Sequence, residues 1–182
     1  MKNILIGFIL VFLNFNLNLG NSKIGLIPDF VGYIVITSGL TEMARESSLF
    51  IKIKPYVTFM IVYSGILYIF DMLGISVSLG ALSYLLIFIA TSISLYISYN
   101  IVLGVVEMEK KYNTLFNGDS LKRAWTFLAV FNVLTFFVLL IPSITLILIL
   151  ISFIAAICFL VAFKNSKSLY YEMVGKLNDK IY

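Results

Sequence analysis

The sequence predicts an all-α integral membrane protein: six transmembrane helices, both ends cytoplasmic, and a C-terminal amphipathic helix. Three observations carry this. Of 182 residues, 61% are hydrophobic and 12% charged, whereas a soluble domain is nearer half apolar and a quarter charged. Water could not accommodate that much apolar surface on a fold of this size, but lipid can solvate it. The apolar residues fall into six runs parted by short charged or turn-forming connections. Lys and Arg are distributed very unevenly between the two sides that six crossings define.

The first run, residues 4–19, follows Met1-Lys2-Asn3 and resembles a signal peptide. Asn14, Asn16 and Asn18 interrupt it and no A-x-A site follows, which favours a retained helix; cleavage near Asn21 is the alternative. The second run, 24–40, carries Pro28 near its start, where a missing N–H costs a helix nothing. A charged connection over 42–54 leads to the third run, 55–70, opened by Pro55 and closed by Asp71. After a turn at 74–78 the fourth run, 79–106, continues into a charged helical extension. Asn117-Gly118 reads as a helix stop and Asp119-Ser120 as the next N-cap. The fifth run is 121–141, Pro142-Ser143 turns the chain, and the sixth is 144–163. Residues 1–163 form the transmembrane domain and 164–182 a cytoplasmic tail.

With six crossings, twelve of the thirteen Lys and Arg residues fall on one side and only Lys23 on the other. Short loops carry their positive charge inside, so the side with twelve is cytoplasmic. The net charge of +4 is thus a matter of orientation, and nucleic-acid binding, which needs a continuous basic face, is not expected. The expected surroundings are a lipid bilayer and the bacterial plasma membrane, with a membrane-protein partner reachable through the cytoplasmic loops and tail.

The outer helix ends gather polar groups. Asn14 and Asn18 are four apart, on one helical face. Asp29 opens the second helix with Tyr33 one turn deeper, and Asp71 ends the third. Ionisable groups at membrane depth are expensive and are functional candidates. These five residues are the candidate ligand site, set against an ordinary role as helix-end and interhelical hydrogen-bonding groups. Gly32 and Gly39 are seven apart and suit close helix packing, as do Ser94 and Ser98. Asn100 and Asn132 suit hydrogen bonds between helices. In the tail, Leu169, Tyr170, Met173, Val174, Leu177 and Ile181 recur at helical spacing, so an amphipathic helix is expected to lie on the inner leaflet or dock on a partner.

Enzymatic signatures are absent: there is no His, no Cys pair around the lone Cys158, and no phosphate-binding glycine loop. No cofactor and no metal site are expected, and the chain reads as non-enzymatic. The segment Ile27-Pro28-Asp29-Phe30-Val31-Gly32-Tyr33-Ile34-Val35-Ile36, with Phe50 and Lys54-Pro55 downstream, resembles uncharacterised small multi-pass membrane proteins of clostridia and related Gram-positive bacteria that carry an LPDFIGY-like element. That resemblance covers roughly the first third of the chain and implies a bacterial plasma-membrane context, with no activity attached. In size and helix count the chain is also similar to the substrate-binding components of energy-coupling-factor transporters, an architectural likeness only. Three roles follow as expectations: an accessory or structural membrane subunit, a small-molecule or ion binding component of a transporter, or an immunity protein against membrane-active peptides.

Overall fold

A computed structural model describes residues 1–13, 16–19, 22–25, 28–138 and 142–178. Its helices are α1 (Lys2–Phe12), α2 (Asp29–Glu42), α3 (Ser48–Lys52), α4 (Lys54–Met72), α5 (Ile75–Ser78), α6 (Ala81–Tyr112), α7 (Gly118–Val138) and α8 (Pro142–Asn178). Three stretches are long and apolar enough to cross a membrane: Ser48–Met72, Ala81–Tyr112 and Ile144–Lys176. Most of their residues are not buried against protein. Ile69, Leu73, Phe137 and Leu146 are among many large apolar side chains on the outside, a surface suited to lipid and not to water.

The first two runs differ from the expected pair of long helices. The α1 helix stops at Phe12, and Asn16–Leu19 (β1) pairs antiparallel with Ser22–Gly25 (β2), Asn18 opposite Lys23. The expected all-α architecture is therefore corrected by one short hairpin. The cause lies in the repeat Asn14-Phe15-Asn16-Leu17-Asn18-Leu19: it alternates polar and apolar with period two, which fits a strand, and Asn is a weak helix former. The α2 helix starts at Asp29 instead of residue 24, with Pro28 as its extended N-cap (φ −65°, ψ 139°). At 11 and 14 residues, α1 and α2 are each shorter than the ~20 residues a helical crossing needs.

The other boundaries follow the apolar runs more closely. Pro55 lies in the first turn of α4. The α6 helix runs 32 residues to Tyr112 and is capped by Asn113 in the left-handed conformation (φ 47°), so the stop comes earlier than Asn117-Gly118. The tail does not form an element of its own: α8 runs unbroken for 37 residues through both the sixth apolar run and the tail. Nothing in 164–178 breaks a helix, since Gly175 is tolerated in its interior.

The long helices close a ring. Each of α1, α2, α4, α6 and α7 packs on the next, α7 on α8, and α8 returns to α1. The α1–α2 seam is close because Gly7, Gly32 and Gly39 remove side chains from it; a Cβ on Gly39 would sit 2.6 Å from the backbone nitrogen of Ile4. Phe8 meets Phe159 and Phe163 edge-on, both at 5.3 Å, where α1 touches α8. Trp125 donates its indole N–H to the buried Ser98 hydroxyl at 2.9 Å, joining α7 to α6.

The end of the ring that holds the α2–α3 and α6–α7 connections is filled. Ile4, Leu40, Phe50, Val105, Met108, Phe116 and Phe163 are buried there. Above them Glu46 accepts hydrogen bonds from Tyr112 (2.6 Å), Lys111 (3.1 Å) and Tyr170 (3.2 Å), tying the α2–α3 turn to α6 and α8. Burial opposes the charge on Glu46, but those three donors outweigh it and hold its carboxyl below the ordinary range. Glu109 accepts the backbone N–H groups of Phe116 (2.7 Å) and Gly118 (2.9 Å), stapling the α6–α7 connection. Tyr170 is buried against this end and Met173 and Val174 pack beside it. The apolar stripe of the tail thus faces the protein.

Candidate functional site

The opposite end of the ring is hollow. A cavity of about 390 Å³ lies between the C-terminal end of α1, the start of α2, the second half of α4, the first half of α6 and Asn132 of α7. Its size falls within the ~300–1,000 Å³ typical of small-molecule sites.

Each polar wall follows from local sequence. Pro28 fixes the extended approach to α2 and puts Asp29 in the first helical turn, where a carboxylate is favoured by the helix N-terminus. Tyr33, four residues on, is one turn deeper on the same face and only 3% exposed; its hydroxyl is within hydrogen-bonding reach of Ser94 on α6. On α4, Ser64, Tyr68 and Asp71 are spaced four and three apart, so one helical face brings all three to the cavity. Thr91 and Ser94 do the same from α6. The ring of Tyr68 meets Phe30 edge-on at 6.0 Å, fixing α4 against α2 beside the two carboxylates. Tyr63 donates to the carbonyl of Leu86 at 2.9 Å and holds α4 to α6 below the cavity. Asn132 bonds its side-chain N–H to its own helix at Leu128 (2.9 Å).

Three of the five residues singled out in the sequence are thus brought together: Asp29, Tyr33 and Asp71 line one cavity, and the two carboxylates lie within each other's electrostatic reach. Asn18 lies in β1, so the shared helical face expected for it with Asn14 does not form. Asn14 lies outside the described residues. The hairpin joins the ends of α1 and α2 that line the cavity, and β2 packs on α4. Ser64, Tyr68, Thr91, Ser94 and Asn132 complete the lining without having been singled out as a site. Their signal was present as a polar stripe, Ser64-Tyr68-Asp71 on one run and Thr91-Ser94 on the next.

The described lining holds two acids, hydroxyls, one amide and aromatic rings, and no Lys or Arg. Among the described residues no group of three or more His, Cys, Asp or Glu could hold a metal ion. Such a lining can bind and orient a ligand through hydrogen bonds, charge and ring faces.

Against protein-family models, curated proteins and solved structures the chain finds no match. Its site is therefore read from its own chemistry.

Proposed function

We propose that the chain is a six-pass bacterial plasma-membrane protein with cytoplasmic ends that binds a small solute in this cavity from the outer side, without catalysing a reaction on it. The observation that carries the reading is the ~390 Å³ hollow at one end of a ring whose other end is packed solid, with polar side chains converging on it from α2, α4, α6 and α7. A membrane protein that leaves polar groups around an internal cavity at membrane depth is retaining an expensive arrangement, and ligand binding is the use that offsets the expense.

Charge placement supports the orientation. The described Lys and Arg residues other than Lys23 belong to the packed end, which the positive-inside rule puts in the cytoplasm. The short α1 is compatible with a crossing because the chain does not end its climb at Phe12. An 11-residue helix rises about 16 Å and a four-residue strand about 13 Å, which together approach the ~30 Å of hydrocarbon. Non-helical backbone is tolerated at that depth where protein covers it, and β2 packs on α4.

A role as an accessory subunit docked through its tail fits less well, because Tyr170 in the apolar stripe of the tail is already buried by the chain's own residues. The absence of histidine supports binding without acid–base chemistry. The likeness in helix count to substrate-binding components of transporters points the same way by analogy alone.

The test is cysteine accessibility. Cys158 is exposed, so it is replaced by Ala, and Thr91→Cys then provides a single thiol on the cavity wall. A membrane-impermeant thiol reagent is expected to modify it in intact cells and to fail in sealed inside-out vesicles. Modification from the cytoplasmic side only, or none from either side, would defeat the reading.

A further inference from the structure

Resting on the reading of this cavity as an outward-facing solute site, we propose that its ligand is a small organic ammonium ion, held by Asp29 and Asp71 against aromatic walls. The cavity separates ligand classes by three properties. Its described lining carries two carboxylates and no cationic side chain, so an anionic solute would meet repulsion. A cation would meet attraction strengthened by the low-dielectric helices around it. Its volume of about 390 Å³ is an order of magnitude above the ~30 Å³ that a water occupies. A bare metal ion would leave most of it unfilled, and the described acids do not form a metal cluster. Its walls include Tyr33, Tyr68 and Phe12. Aromatic faces attract a cation within about 6 Å of the ring and tolerate its alkyl groups.

The arrangement also divides the work between helices. Asp29 comes from α2 and Asp71 from α4, and the Phe30–Tyr68 contact at 6.0 Å locks those two helices together beside them. An ammonium group placed between the carboxylates relieves the repulsion of two like charges that share a cavity. Ser64, Thr91 and Ser94 lie deeper from the carboxylates' end and offer hydroxyls to a polar group on the rest of the ligand.

The experiment uses the full chain in the membrane, with the Thr91→Cys, Cys158→Ala background. Two thiol reagents of similar size are compared from the outer side: a trimethylammonium-ethyl and a sulfonato-ethyl methanethiosulfonate. After normalising to their rates with a free thiol, the cationic reagent is expected to react at least tenfold faster. Asp29→Asn and Asp71→Asn, which keep shape and remove charge, are each expected to bring the ratio toward one. Choline is expected to slow labelling, and its uncharged carbon isostere 3,3-dimethylbutan-1-ol at the same concentration is not. A normalised ratio at or below one, equal protection by the neutral alcohol, or no protection by choline would overturn the ammonium assignment while labelling itself upholds the outward cavity. Failure of both reagents to label from outside would overturn the cavity reading and this inference with it.

Discussion

Substituting Gly39 by Ala tests how the α1–α2 seam is built and can give either sign of stability change. In an open helix the substitution stabilises by about 1 kcal/mol, through helix propensity alone. In this structure the added Cβ would lie 2.6 Å from both the backbone nitrogen and Cγ1 of Ile4. Ordinary carbon contacts need about 3.5 Å or more, so α1 must withdraw by roughly 1 Å. Overpacking of a closed interface costs about 1–3 kcal/mol, and the upper end applies because the obstacle is main chain that cannot rotate aside. The net expectation is a loss of about 2 kcal/mol. Gly175 in α8 is the internal control, since a Cβ there meets nothing within 4 Å; Gly175→Ala should stabilise by about 0.5–1 kcal/mol. Both variants are measured by reversible denaturant unfolding of the purified chain in mixed micelles. If Gly39→Ala shifts the midpoint in the same direction as Gly175→Ala, the close seam is refuted.

Glu46→Ala should cost about 2 kcal/mol in the same assay, because it removes the common acceptor of Tyr112, Lys111 and Tyr170. The folded carboxyl of Glu46 is held below its unfolded value of 4.5. Its contribution is therefore complete above that pH and is lost as pH falls further through the folded value, a sag that Glu46→Gln should flatten. Glu109→Ala should raise hydrogen exchange at the Phe116 and Gly118 amides by at least tenfold, since it removes their shared acceptor; unchanged protection would show that the staple is dispensable. Trp125→Phe should lose about 1 kcal/mol, because the Ser98 hydroxyl keeps its own bond to the Leu95 carbonyl and forfeits only the indole donor. A variant as stable as the parent would assign that hydrogen bond no net worth.

The parts of the fold legible in the sequence were those that depend on composition over many residues. The third, fourth and sixth apolar runs appear as the three membrane-length stretches, and Pro55 opens a helix as its ring geometry requires. The first run misled because hydrophobicity was weighed over its whole length while the local period was two. The Asn-Leu alternation at 16–19 is a strand pattern whatever its mean polarity. The tail misled in the opposite way: its helical stripe is real, but a stripe does not say whether lipid or protein covers it, and α8 carries Tyr170 back onto Glu46 and Phe116. For the site, Asp29, Tyr33 and Asp71 were found because charge at membrane depth stands out. Ser64, Thr91 and Ser94 were passed over because a hydroxyl in an apolar run more often satisfies itself on its own helix, as Ser64 also does on the carbonyl of Met60. Their convergence depends on how α4 and α6 are rotated in the ring, which a single sequence does not encode in any short-range pattern.

Topology at Lys23 bears most directly on the account, because the outward cavity, the orientation and the crossing of the short first helices all require the hairpin to lie outside. Reporter fusions that report separately on the two compartments should read outside after Lys23 and after Ser78, and inside after Ser48 and after Asn117. A cytoplasmic signal at Lys23 with the other three unchanged would mean that α1, the hairpin and α2 do not cross, and would contradict an outward-facing site built on Asp29.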